Sequence, residues 1–208
     1  MPLSPRGLSR NFAIGALGAL ALFAAIPRAA IAHEFSVELR AVGNEREVML
    51  ADALQGFLLA TTERDGHANE ESNGHLGGLD VYIDPEPAQV ATLFPELKPI
   101  PAERAEIVVL LGSSQDALRA AEAIGRDRAV LLPGNLLDDN QWAVPDGQNP
   151  QNFAARYQSA YGQQPSQWAA LGYDAARRLD AAIRPLGGID DRAALVAAFA
   201  QTAAGIRW

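Results

Sequence analysis

Eight side chains able to ligate a hard cation crowd the stretch from Glu63 to Gly78: Glu63, Asp65, His67, Asn69, Glu70, Glu71, Asn73 and His75. Carboxylates, amides and imidazole are the donors that calcium, a lanthanide or a first-row metal takes, and Asp65, His67, Glu70 and Glu71 are the candidate ligands. Asp65, His67 and Asn69 begin like an EF-hand loop, but its twelfth position is Leu76 where a glutamate is required, so a solvated acidic connection is the competing reading. A second constellation, Gly112-Ser113-Ser114-Gln115, sets two hydroxyls ahead of a helical pattern. Unpaired backbone N–H groups at such a helix start can hold a carboxylate or another anion, and Ser114 can equally serve as the helix cap. Asp138-Asp139-Asn140 and the set Asp80, Asp84, Glu86 are weaker oxygen-donor candidates.

Nothing in the chain points to catalysis. After residue 32 there is no Gly-x-Ser-x-Gly elbow, phosphate-binding Gly-Lys-Thr loop, His-Glu-x-x-His pair or dinucleotide glycine fingerprint. The absence of cysteine removes disulfides, thiolate metal sites and thiol nucleophiles together. His33 joins an amine to an imidazole if processing makes it the amino terminus, a copper-chelating pair only if His67 or His75 comes near. Trp142, in a polar loop, is a candidate contact for a ligand or partner, Trp168 lies on an apolar stripe and is expected in the core, and Trp208 is given no place.

The N-terminus reads as an export signal. Arg6 and Arg10 precede an uncharged apolar run from Phe12 to Ile26, and Ala30-Ile31-Ala32 has the small residues of a cleavage site, so residues 1–32 are expected to be removed and the product to reside in the periplasm. The run is short for a membrane span, and without cysteine there is no lipid-anchoring motif. Processing leaves 176 of 208 residues and, because the leader carries three arginines and no acid, moves the net charge from −8 to −11. That length fits one domain, residues 33–208, and that charge disfavours nucleic acid and anionic membrane.

The elements that must position these groups alternate. Phe35, Val37, Leu39 and Ala41 alternate with Ser36, Glu38 and Arg40, which predicts a strand with one wet face. Leu50, Leu54, Phe57 and Leu58 mark a helix from about Glu47 to Arg64, with Gly56 placed for close approach to a sheet. Leu79–Ile83, Ile107–Leu111 and Ala129–Leu132 are the further strands, and a helix from Ser114 to Ile124, stopped by Gly125, lies between the last two. A proline-rich segment from Asp84 to Pro101 is unreadable beyond a helical turn near Val90–Leu93. Asn149-Pro150 starts a short helix through Phe153 and Tyr157 that Gly162 ends, and Trp168, Leu171, Ala175, Leu179 and Ile183 form the stripe of a longer helix that starts after Pro165 and ends at Pro185 and Gly187-Gly188. The order β-α-β predicts a parallel sheet with crossover helices. Ligands in such open sheets meet the carboxyl ends of the strands, which selects Ser113, Ser114 and Gln115 after one strand and Gly134-Asn135 after the next.

Phe153-x-x-x-Tyr157, Tyr161-Gly162-x-x-Pro165, Gly172-Tyr173-Asp174-Ala175, the helix end Ala182-Ile183, then Leu186-Gly187-Gly188 and a helix from Asp190 to Phe199 together resemble the C-terminal helical segment of type I periplasmic solute-binding proteins, the branched-chain amino-acid-binding type of ABC importers. Asp52–Ala60, with its Ala-x-x-Gly-x-x-x-Ala pattern, and Asn73-Gly74-His75-Leu76-Gly77-Gly78 resemble the first helix and the glycine-rich lead-in to the second strand of that family. The resemblance implies an α/β, three-layer Rossmann-like sheet of about four strands, here a truncated lobe. It implies a small-molecule ligand held at Ser113, Ser114, Gln115 and Asn135, no cofactor, no catalytic activity, and a transporter permease as partner. Some relatives of this superfamily accompany quinoprotein alcohol oxidation, which makes a periplasmic dehydrogenase a second expected partner. The departure is length: about half of a two-lobed member, so a hinge closing on ligand is not expected. The alternative is an accessory protein that binds calcium or a lanthanide, or docks on another protein.

Overall fold

Alternating apolar residues from Phe35 to Ala41 and the unbroken run Ile107–Leu111 supply the two strands at the middle of a five-stranded sheet. The computed structural model describes residues 34–63, 71–143 and 151–208, which lie in one compact unit. The expected leader, its cleavage site, His33 and the expected helix start at Asn149-Pro150 lie outside the described residues. The elements are β1 (Glu34–Ala41), α1 (Arg46–Thr62), β2 (His75–Leu76), β3 (Leu79–Glu86), β4 (Ile107–Leu111), α2 (Ser114–Ile124), β5 (Ala129–Leu131), α3 (Phe153–Tyr161), α4 (Gln167–Leu186) and α5 (Arg192–Gln201). The proline-rich segment holds one 3₁₀ turn, Ala88–Leu93.

Strand order is β2-β3-β1-β4-β5, with β1 parallel to both β3 and β4, and β4 parallel to β5. The chain is therefore an α/β protein with a mostly parallel sheet and flanking helices. The sequence predicts four strands; the fifth is the two-residue β2, antiparallel to β3 across a turn in which Gly77 and Gly78 both have positive φ. A strand so short, inside a glycine-rich run, carries no periodicity to read. Phe35, Val37 and Leu39 on β1, Val81 and Ile83 on β3 and Val109 on β4 meet α1 and α4 in the main core. On the opposite face Val108 and Leu110 pack against Ala117 of α2 in a smaller cluster.

The polar side of β1 is a correction. It is predicted wet, yet Ser36 is fully buried and Glu38 is 6% exposed. Glu38 is ion-paired to both Arg40 and Arg128, and the Ser36 amide donates to Glu106 Oε2 at 2.7 Å. Alternation reveals which face a residue takes, but not that charged partners from β5 and the β4 approach will close over it.

Helix boundaries follow their caps. Ser113, not the predicted Ser114, caps α2, its side chain accepting from the Asp116 amide, and Gly125 ends the helix. Asn152 caps α3 and Gly162, at φ 72°, closes it; Ser166 and Asp191 cap α4 and α5. Pro185 sits inside the last turn of α4, which runs on to Leu186 before Gly187 stops it.

Gly56 is also reassigned: it serves a helix–helix crossing, not a helix–sheet contact. A Cβ at Gly56 would fall within 3.0 Å of the Ala169 carbonyl of α4, and one at Gly172 equally close to the Ala53 carbonyl of α1, separations that real Cβ atoms do not show. Both offending atoms are backbone, so a methyl can be accommodated only by moving a whole helix. Gly56→Ala and Gly172→Ala are each expected to cost about 1–3 kcal/mol or more, the range for overpacked cores. Gly188→Ala, with open space at that position, should be close to neutral. Urea midpoints at unchanged m-value check all three.

Candidate functional site

The strand order puts a topological switch at β1: the chain leaves β1 through α1 to β3 on one side, and β4 lies on the other. In open parallel sheets the crevice outside the carboxyl ends of the two strands flanking such a switch is where ligands bind. Here those strand ends carry the loop after β1, Val42-Gly43-Asn44-Glu45, and the loop Gly112-Ser113 that starts α2. The two loops are tied by the Val42 amide donating to the Leu111 carbonyl at 2.9 Å. Gly112, at φ 133°, lies so close to the Val42 carbonyl that a side chain there would collide with it.

Ser113, Ser114 and Gln115 are all exposed at this edge. The Ser113 hydroxyl donates to Asp116 Oδ2 at 2.7 Å, while Asp116 Oδ1 takes a guanidinium N–H of Arg119 at 2.5 Å. These two donors hold the Asp116 carboxyl below its ordinary range. Asp116 also faces the β1 loop, since a Cβ on Gly43 would lie 3.2 Å from its Oδ2. Asp116 thus sits at the start of α2, where the helix dipole favours an anion, as the acidic half of an ion pair with Arg119.

Asn135, the remaining expected ligand contact, is exposed beyond β5 in the loop that the C-terminal residues cross. Gly205, at φ 102°, passes so close to the Asn135 carbonyl that a side chain there would clash. Asn140 donates through its side-chain amide to the Ile206 carbonyl at 3.0 Å, and Arg207 is ion-paired to Asp139. Trp208 then docks edge-on against Phe153 and Tyr173, ring centroids 5.2 and 4.9 Å away, and its indole N–H donates to Asp174 Oδ1 at 2.8 Å. Sequence reasoning leaves Trp208 unplaced because its partners lie on two other elements, α3 and α4, more than 30 residues back. Trp142, expected as a ligand or partner contact, is half-buried against the main core, as is Trp168.

Behind this tail Arg178, 2% exposed, donates to the Leu132 carbonyl at 2.8 Å and to Thr202 Oγ1 at 3.1 Å. Burial lowers the Arg178 pKa and raises that of Asp174, with the Trp208 donor and Arg178 itself opposing the rise at Asp174. Glu63, at the end of α1, is ion-paired to Arg156 and accepts from the Tyr173 hydroxyl at 2.7 Å; burial pushes that phenol up to about 12. The Glu63 cluster joins α1, α3 and α4, and the Arg178 cluster ties α4 to the end of β5 and to the C-terminal segment.

Of the proposed cation ligands, Asp65, His67 and Glu70 lie outside the described residues, and Glu71 is exposed. No group of three or more His, Asp or Glu side chains able to hold a metal ion occurs among the described residues. His75 Nε2 is paired with Asp80 Oδ1 at 2.8 Å, and Ser72 donates to the same oxygen at 3.4 Å. No helix among the described residues is long and apolar enough to cross a membrane. Comparison with family models, with curated proteins and with solved structures finds no match to this chain.

Asp84, opposite Glu38 in the register of β3 and β1, has its pKa raised by partial burial and by the charges of Glu38 and Glu86. Its folded pKa therefore exceeds its ordinary 3.8, so the folded state holds this proton more tightly than the unfolded chain does. Stability from this group is complete below that ordinary value and is lost as pH rises through the folded pKa. Asp84→Asn is expected to raise the thermal midpoint at pH 7 and to leave it unchanged at pH 3, a difference that parallel melts of the two proteins at both pH values will measure.

Proposed function

We propose that the chain is an exported, non-catalytic binding protein similar to the solute-binding component of an ABC importer, working as a single lobe. Its contact edge is the crevice at the carboxyl ends of β1 and β4. The observation that carries the reading is the convergence there of exposed Ser113, Ser114 and Gln115 with Gly43 and the Asp116 carboxylate, at the switch point of a mostly parallel sheet. A ligand bearing an ammonium group would share the Asp116 carboxylate with Arg119, and the hydroxyls and the Gln115 amide would supply hydrogen bonds to its remaining polar atoms. A single lobe provides one wall of a clamp, so affinity is weak unless a second protein supplies the other wall. A transporter permease or a periplasmic dehydrogenase is a partner of suitable location.

Calorimetry on the metal-stripped protein tests this. A panel of amino acids and amines should give saturable heat, weakened at least tenfold in Asp116→Asn and several-fold in a Ser114→Ala/Gln115→Ala double variant. Heat only with calcium or a lanthanide would favour the cation-binding alternative built on Asp65, His67, Glu70 and Glu71. No heat with either class would remove the small-ligand reading.

A further inference from the structure

Where α2 ends and α5 begins, a groove of about 570 Å³ opens beside β5. Val130 forms its half-buried floor, Ala121 of α2 one wall and Val196 of α5 the other. Val196 is 45% exposed, a large apolar side chain turned to solvent. The groove is polarised along the strand. Arg192, the first residue of α5, donates to the Asp127 carbonyl at 3.0 Å just ahead of β5, whereas Arg178 ties Thr202, just past α5, to the Leu132 carbonyl beyond the other end. Helix α5 therefore runs with β5, and α2, the crossover between the parallel strands β4 and β5, runs against it. This sets Arg126, Arg128 and Arg192 at the amino end of the groove and Ala121, Val130 and Val196 farther along.

In a chain of net charge −8, these three arginines line the groove and no acid does. Arg128 is ion-paired to Glu38, but Arg126 is exposed and makes no ion pair among the described residues. Arg192 has a neutral carbonyl as its partner. Asp127 and Asp190 line the adjoining hollow, neither within ion-pairing reach of Arg192, and Asp191 caps α5 by accepting from the Ala194 amide.

We infer that the groove binds a small amphipathic carboxylate, with its anionic head at Arg126 and Arg192 and its aliphatic or aryl body over Val130 between α2 and α5. The two cations without acidic partners supply charge-assisted hydrogen bonds to the head, and the apolar side chains take the body out of water. The volume lies in the range of small-molecule sites, about 300–1,000 Å³. A second charge on the body would be pressed against Val130 and Val196 and lose its hydration, so the acid carries one anionic group. The ligand uses side chains and needs no main-chain group of β5, where Ala129 and Leu131 are buried. Its head sits at the amino end of β5, whereas the switch-point crevice lies at carboxyl ends, so binding here neither requires nor excludes a ligand there.

Sodium octanoate, titrated into the isotope-labelled full-length chain and followed by amide chemical shifts, tests this. Saturable shifts are expected at Val130, Ala193 and Val196. Acetate and citrate should bind at least tenfold more weakly for want of the apolar body, octanol and octylammonium at least tenfold more weakly for want of the anionic head. Arg126→Gln/Arg192→Gln should lose at least tenfold for octanoate and leave octanol unchanged. Arg126→Glu/Arg192→Glu should instead prefer octylammonium, a gain that an unfolded variant cannot show. Octanol as tight as octanoate would make the groove a bare apolar patch, and citrate as tight would make it a plain anion trap; either overturns the proposal. Saturable shifts confined to Ser113, Ser114 and Gln115 would overturn it by moving the acid to the switch-point crevice, as would the absence of a saturable shift at any amide.

Discussion

Helices α1 and α4 touch backbone to backbone, and the rest of the architecture is set by how close they come. Gly56 and Gly172 each face a carbonyl of the opposite helix, so the separation is fixed by the absence of two side chains. Such proximity brings Ala169 onto Gly56 and Ala53 onto Gly172, and both alanines are fully buried. It also holds the start of α4 over α1 closely enough for the Tyr157 hydroxyl to reach Gln55 Oε1 at 2.5 Å and the Tyr161 hydroxyl the Gln55 carbonyl at 2.8 Å. Helix α3 is thereby locked to the same pair.

Once α4 is fixed on α1, its other side determines what happens at the strand ends. Asp174 and Arg178 reach the end of β5, where Gly134 leaves room for the guanidinium, and Asp180 accepts from the Gly77 amide at 2.8 Å in the β2–β3 turn. Buried charges of this kind are costly unless every donor and acceptor is matched. The matching groups come from the Leu132 carbonyl, Thr202 and Trp208, so the C-terminal segment is ordered by the polar demands of α4 as much as by the stacking of Trp208 on Phe153 and Tyr173.

Much of the architecture was legible from residue order alone. The period of two from Phe35 to Ala41, the continuous run Ile107–Leu111, and the terminators Gly125, Gly162 and Gly187 are local signals, because propensity and turn conformation depend on a residue and its near neighbours. From these the α/β class and the mostly parallel order followed, as did the placing of Ser113, Ser114 and Gln115 after a strand. Tertiary structure decided what depends on distant partners: that Glu38 is buried between Arg40 and Arg128, that Gly56 meets a helix and not the sheet, that Trp142 packs on the core, and that Trp208 anchors on Asp174. It also decided that the helix start expected to be a bare anion site holds its own carboxylate. Sequence periodicity assigns a face to each side chain. The charge or backbone that meets that face arrives from far along the chain, 90 residues in the case of Arg128 at Glu38, and no local pattern encodes it.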